Sequence, residues 1–171
     1  MNDVSRIFMD ENQTCRFDFT KARWATDQLN AVYHKAKLDL LSDVDFLVET
    51  ENEFLFVEYK NASHPNVVHS DRFDFKKDKL IHKLVRKFYD SCHFFHAMEL
   101  GMNKKINYVM ILEFPHSDAA SRKYVRNRVA ALLPFLLQKQ NPEMHKILHG
   151  VDVLSIEEWN QKYPLFSAEV L

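Results

Sequence analysis

The sequence predicts an α/β fold in which a mixed central β-sheet is flanked by helices. Three observations carry that expectation. Two segments rich in β-branched and aromatic residues, Val44-Asp-Phe-Leu-Val-Glu49 and Glu53-Phe-Leu-Phe-Val-Glu-Tyr-Lys60, are separated by a short polar break. From Asp74 to about Leu100 the apolar residues recur at three and four positions, as on a helix. Lys105 to Phe114 is then almost wholly apolar through its middle, as expected of a strand covered on both faces. Such a strand needs layers on either side of the sheet, and helical segments are available for both.

The elements follow in order. Ser5 to Asp10 reads as a short helical piece. In Gln13–Phe19 a weak alternation puts Cys15, Phe17 and Phe19 on one side. Thr26 to Lys37 is expected to be helical, with Leu29, Val32 and Tyr33 on one face. The break Thr50-Glu51-Asn52-Glu53 contains an Asn that tolerates positive φ, so the two strands form a hairpin. Pro65 ends whatever follows Lys60, because proline cannot continue a central ladder. On the long helix Leu80, Ile81, Leu84, Val85, Phe88, Phe95 and Met98 form the apolar stripe, and Gly101 is the expected stop. Ser121 to Gln138 reads as another helix, kinked or broken at Pro134. Val151–Leu154 is a short strand, and Ser155 with Glu158 three residues on has the pattern of a capping box opening a last helix. Trp24 and Trp159 are expected in the core. No repeat, low-complexity tract or linker divides the chain, so residues 1–171 are expected to form a single domain.

Composition removes several classes of function. With 14 Phe and 46% hydrophobic residues the chain is too apolar for intrinsic disorder. No apolar run is long enough for a spanning helix, and the start has no basic-then-apolar pattern, so a cytoplasmic, non-membrane protein is expected. Two glycines, Gly101 and Gly150, cannot build a phosphate-cradling loop or a dinucleotide fingerprint. Two cysteines cannot build a disulfide framework or a multi-cysteine zinc site. No Ser-centred motif resembles a nucleophile elbow, which places a small-molecule hydrolase last. The net charge of −1 hides an asymmetry: residues 1–59 carry 12 acidic against 6 basic side chains, residues 60–171 12 against 17. Such a division suits a cation-holding site beside a phosphate-holding surface, or simple internal complementarity.

A turn at residues 50–53 pairs positions whose numbers sum to 103. Leu47 then faces Phe56, Asp45 faces Glu58 and Asp43 faces Lys60. Alternation puts Asp45, Glu58 and Lys60 on one face, and Val44, Phe46, Val48, Leu55, Val57 and Tyr59 on the other. Two carboxylates opposed across a ladder repel each other. Either one takes a proton or a cation sits between them. A hard divalent ion such as Mg²⁺ or Mn²⁺ suits carboxylate oxygens and binds with few protein ligands and several waters. Lys60 lies about 6.6 Å along the same face, within reach of a metal-bound water or a substrate phosphate. This pattern suits phosphodiester hydrolysis.

Asp43-Val-Asp45-Phe-Leu-Val, a turn, then Leu55-Phe-Val-Glu58-Tyr-Lys60 resembles the core of the PD-(D/E)XK nuclease superfamily, the restriction-endonuclease-like fold. The resemblance implies that Asp45 and Glu58 bind Mg²⁺, with the Tyr59 carbonyl as a further ligand, and that Lys60 positions or activates the attacking water. The order of elements agrees over residues 26–114, and the residue match is sharp only over 43–61. No proline precedes either aspartate. Asp43 and Asp45 share one face, and only the pairing sum favours Asp45. An additional acidic ligand in some members has three candidates here, Asp10, Glu11 and Asp27. The substrate implied is nucleic acid, DNA by the resemblance, although the residues themselves do not separate DNA from RNA. No separate recognition module is visible, so a second copy or a protein partner would supply specificity.

Lys76, Lys79, Lys83, Arg86 and Lys87 follow helical spacing opposite the Leu80/Leu84/Phe88 stripe. Such a ridge contacts phosphates without reading bases, or is an ordinary solvated face. Arg122, Lys123, Arg126 and Arg128 form a weaker cluster. His145 and His149 have the four-residue spacing of zinc ligands, but no third ligand accompanies them. His93 and His96 are expected to be packed or hydrogen-bonded, while His64 and His69 occupy the loop after Lys60. The alternative to a nuclease is a non-catalytic nucleic-acid- or protein-binding subunit on the same fold, with Lys60 paired to Asp43 or Glu58.

Overall fold

The computed structural model describes residues 6–65, 74–100 and 103–171. A five-stranded mixed sheet runs in the order β3-β4-β5-β6-β7, formed by Trp24–Thr26, Phe46–Glu49, Glu53–Asn61, Lys105–Glu113 and Gly150–Leu154. β4 is antiparallel to its neighbours, while β5, β6 and β7 are mutually parallel. The two parallel steps require crossovers, which the helices supply. α2 (Asp78–Ala97) carries the chain from β5 to β6. α3 (Ala119–Leu132) and α4 (Phe135–Gln140) carry it from β6 to β7. The break between α3 and α4 falls at Pro134, where the proline ring denies the helix an N–H.

One sheet face packs against α1 (Leu29–Lys35), α2 and α3 through Leu47, Phe54, Phe56, Tyr108, Phe88, Phe95 and Val125. The other face is not covered by helices alone. There β1 (Ile7–Met9), β2 (Cys15–Asp18) and β8 (Ala168–Val170) form a small antiparallel sheet, and with α5 (Ile156–Lys162) they bury Phe17, Phe19, Phe46, Val57 and Trp159. β6 runs through the middle with Tyr108 to Leu112 fully buried, as its apolar composition requires.

The hairpin register is the expected one: Phe46 pairs with Val57 and Leu47 with Phe56. The capping box at Ser155 and Glu158 forms in full. Four readings are corrected. Residues 7–9 are a strand, because Ile7, Phe8 and Met9 pair with β2. Val44 joins the α2 side of the core, since the regular strand begins only at Phe46. α2 ends at Ala97, where Glu99 takes a left-handed φ of 53° and the Leu100 N–H returns to Phe95; the expected stop, Gly101, lies outside the described residues. His93 and His96 are exposed on α2 rather than buried, although the His96 ring meets that of Phe95 edge-on at 5.7 Å. No helix among the described residues is long and apolar enough to cross a membrane.

Candidate active site

The β4–β5 ladder ends one residue before it could close on Asp45. The Tyr59 N–H, which would have met backbone there, instead donates to Asp45 Oδ2 at 2.7 Å. The Val44 N–H donates to Ser91 Oγ at 3.0 Å, and the Ser42 N–H to Asp90 Oδ2 at 2.8 Å. The chain before β4 is thus taken from the sheet by α2. Its three anchoring side chains, Lys87, Asp90 and Ser91, recur at the three- and four-residue spacing of one helical face. In an extended strand the N–H and C=O of a residue point to the same neighbour, so the Tyr59 carbonyl lies on the edge where β4 departs.

Glu58 is completely buried. Its Oε2 accepts from Lys87 Nζ at 2.7 Å, and the same ammonium lies 3.3 Å from Asp45 Oδ1. Lys60 Nζ is 3.4 Å from Glu58 Oε1, an atom that receives no hydrogen bond. The ladder stops short of pairing Asp45 with Glu58, and what brings the two carboxylates together is a shared cation, a lysine from α2. Burial and the neighbouring Asp45 raise the proton affinity of Glu58. Burial works against the charge on Lys87, but Glu58 and Asp45 outweigh it and hold the ammonium protonated beyond its ordinary range. The effect on Lys83 is opposite: partial burial and the neighbouring Lys60 and Lys87 lower its affinity for a proton. Two lysines from two elements, Lys60 and Lys87, thus pair with the two carboxylates.

A cavity of about 260 Å³ opens beside Asp45 and Lys87, lined also by Asp10, Glu11, Asp27 and Asp43. The three acidic residues expected as additional ligands all reach this cavity, although none comes from a helix. Asp10 already accepts the Thr14 and Cys15 N–H groups at 2.6 Å each, closing the β1–β2 turn. Asp43 accepts from Asn30 at 3.0 Å and does not face Lys60 as an ion pair. No group of three or more His, Cys, Asp or Glu side chains among the described residues is arranged to hold an ion. The side chains that could hold a hard divalent ion here are the carboxylates of Asp45 and Glu58, with water completing the shell. Glu58 Oε1 receives no hydrogen bond and lies 3.4 Å from Lys60 Nζ, while Asp45 and Lys87, but not Glu58, line the cavity.

Lys87 is the main correction to the expected ridge. It is buried and committed to the two carboxylates, because its position on α2 faces the sheet edge. Lys76, Lys79, Lys83 and Arg86 remain exposed, with Lys76 just ahead of the helix and Arg86 also paired to Asp90 at 3.1 Å. The second basic cluster is largely spent on structure: Arg122 pairs with Glu158, Arg126 donates to the Val151 carbonyl and Arg128 to Asp78. His149 Nδ1 accepts the Ile106 N–H at 3.1 Å, and His145 lies in irregular chain rather than one turn of helix before it. His69 lies outside the described residues. The signal that could have found Lys87 was a lone cation four residues before Ser91, inside the stripe of Leu84, Phe88 and Phe95. No protein-family model, curated protein or solved structure matches this chain.

Proposed function

We propose that this chain is a metal-dependent nuclease, hydrolysing phosphodiester bonds of nucleic acid, DNA by its PD-(D/E)XK resemblance. The observation that carries the reading is the convergence of Asp45, Glu58 and Lys60 at the point where β4 leaves β5, with a Glu58 oxygen that receives no hydrogen bond and a cavity that opens beside Asp45. Asp45 and Glu58 would hold Mg²⁺ or Mn²⁺, with the Tyr59 carbonyl as a further ligand. The ion, when bound, lowers the pKa of a coordinated water and neutralises charge developing on the phosphoryl oxygens. Lys60 sits against Glu58 and is only partly exposed, which suits it to orient the attacking water or a phosphate oxygen. The exposed Lys76, Lys79, Lys83 and Arg86 would contact the backbone of the nucleic acid.

A second reading has its own support. Lys87 bridges the carboxylate pair and Lys60 is paired with Glu58, as they would be in a non-catalytic subunit that kept the hairpin for structure. Cleavage of plasmid, single-stranded DNA and RNA with Mg²⁺ or Mn²⁺ separates the two. A nuclease cuts at least one substrate only with metal, and Glu58→Gln and Lys60→Ala abolish cutting while remaining folded. Absence of cutting, or variants as active as wild type, favours the binding subunit.

A further inference from the structure

We infer that Lys87 is a built-in counter-ion that a divalent ion must displace, so that metal enters this site in exchange for the lysine ammonium. The inference rests on the metal-dependent reading above. Lys87 Nζ lies 2.7 Å from Glu58 Oε2 and 3.3 Å from Asp45 Oδ1, which is the space between the two carboxylates that an ion shared by them would need. Two positive charges at that distance from the same oxygens repel strongly, and burial gives water little part in screening them. The ammonium has somewhere to go. Lys87 is also part of the cavity wall, together with Asp43, Asp10 and Glu11, and its four-carbon stem can turn its head into that space. Without metal, the lysine joins β4, β5 and α2 through the two carboxylates. With metal, it gives up the carboxylates and turns toward the acidic wall.

The exchange sets a cost on metal affinity that removal of the lysine relieves. Mn²⁺ binding is measured by calorimetry on the full chain as wild type, Lys87→Met and Lys87→Arg, each with and without Glu58→Gln. Lys87→Met is expected to bind Mn²⁺ about tenfold more tightly than wild type or more, and Lys87→Arg no more tightly than wild type. Glu58→Gln removes the binding in each background. Equal, Glu58-dependent affinity in wild type and Lys87→Met overturns the exchange and leaves the metal site standing. No Glu58-dependent Mn²⁺ binding in any variant overturns the metal site and the exchange with it. A measurement on the unmodified chain covers a Lys87→Met protein that does not fold: amine labelling followed by mass spectrometry. Saturating Mn²⁺ is expected to raise the labelling of Lys87 severalfold relative to Lys104, which is paired with Glu49 away from the site. Labelling of Lys87 that stays unchanged while Mn²⁺ binds overturns the exchange.

Discussion

Asp45 accepts the Tyr59 N–H at 2.7 Å through one oxygen and faces the Lys87 ammonium at 3.3 Å through the other. One carboxylate thereby ends a β-ladder and helps define a charged site. Its two duties separate by substitution. Asp45→Asn keeps an acceptor for Tyr59, whereas Asp45→Ala leaves that N–H without one at a part-buried position. Asp45→Ala is expected to lose about 1–3 kcal/mol of stability and Asp45→Asn less, read by urea denaturation. Both are expected to lose metal-dependent cleavage. Equal stability in the two variants would show that the Tyr59 bond is not what holds the strand end.

Glu58 is the residue on which activity and stability diverge most by substitution type. Glu58→Gln preserves volume and an oxygen facing Lys87, and is expected to cut at least about 100-fold more slowly while melting near wild type. Glu58→Ala leaves Lys87 with Asp45 alone in a buried place and is expected to cost about 3–5 kcal/mol. Single-turnover cleavage and thermal melts on the same preparations check both.

The phosphate ridge is tested by salt. Lys79, Lys83 and Arg86 are exposed on α2 and lie outside the buried pair. Replacing all three by Gln is expected to weaken nucleic-acid binding and to flatten the log Kd against log salt plot by about two to three. A slope equal to that of wild type would assign these residues to an ordinary solvated face.

His149 links the start of β6 to the approach to β7, and that link depends on pH. Its Nδ1 accepts the Ile106 N–H, which requires the neutral ring. Burial, then Lys146 and Lys105, lower its pKa from 6.5. The unfolded chain therefore takes up the proton first as pH falls. Stability from this group is full above 6.5 and is lost as pH drops through 6.5 toward the lower folded value. Denaturation midpoints between pH 7.5 and 5 are expected to fall in wild type and to fall less in His149→Asn, which retains an acceptor but does not titrate.

Gly150 begins β7 with no room for a side chain. A Cβ there would stand 2.7 Å from Asn107 Oδ1, and Asn107 is itself tied to Glu53 through its amide nitrogen. The neighbour cannot withdraw without breaking that bond. Gly150→Ala is expected to cost about 1–3 kcal/mol in chemical denaturation. A double variant with Asn107→Ala is expected to recover part of the loss.

The hairpin was legible because strand alternation and a four-residue turn leave one register, the one in which Phe46 pairs with Val57. The capping box at Ser155 was legible for the same reason: its partners are three residues apart, and local geometry decides the contact. β3 and β8 were not legible, since strands of three residues are held by their neighbours rather than by pattern. Nor was the cover on the second face, where Phe17 and Phe19 pack on Phe46 across large separations in sequence. Lys87 marks the boundary between the two kinds of knowledge. Its helical spacing was compatible with the solvent ridge of Lys79 and Lys83, but the rotation of α2 about its own axis decides which lysine points inward. That rotation is set by burial of Leu84, Phe88 and Phe95 against the sheet. By itself the sequence determined which residues could share a face. Tertiary packing decided that the charge balancing Asp45 and Glu58 comes from a helix 29 residues further along the chain from Glu58, because a buried carboxylate pair requires a cation and the fold brings that one within 3 Å of Glu58 Oε2.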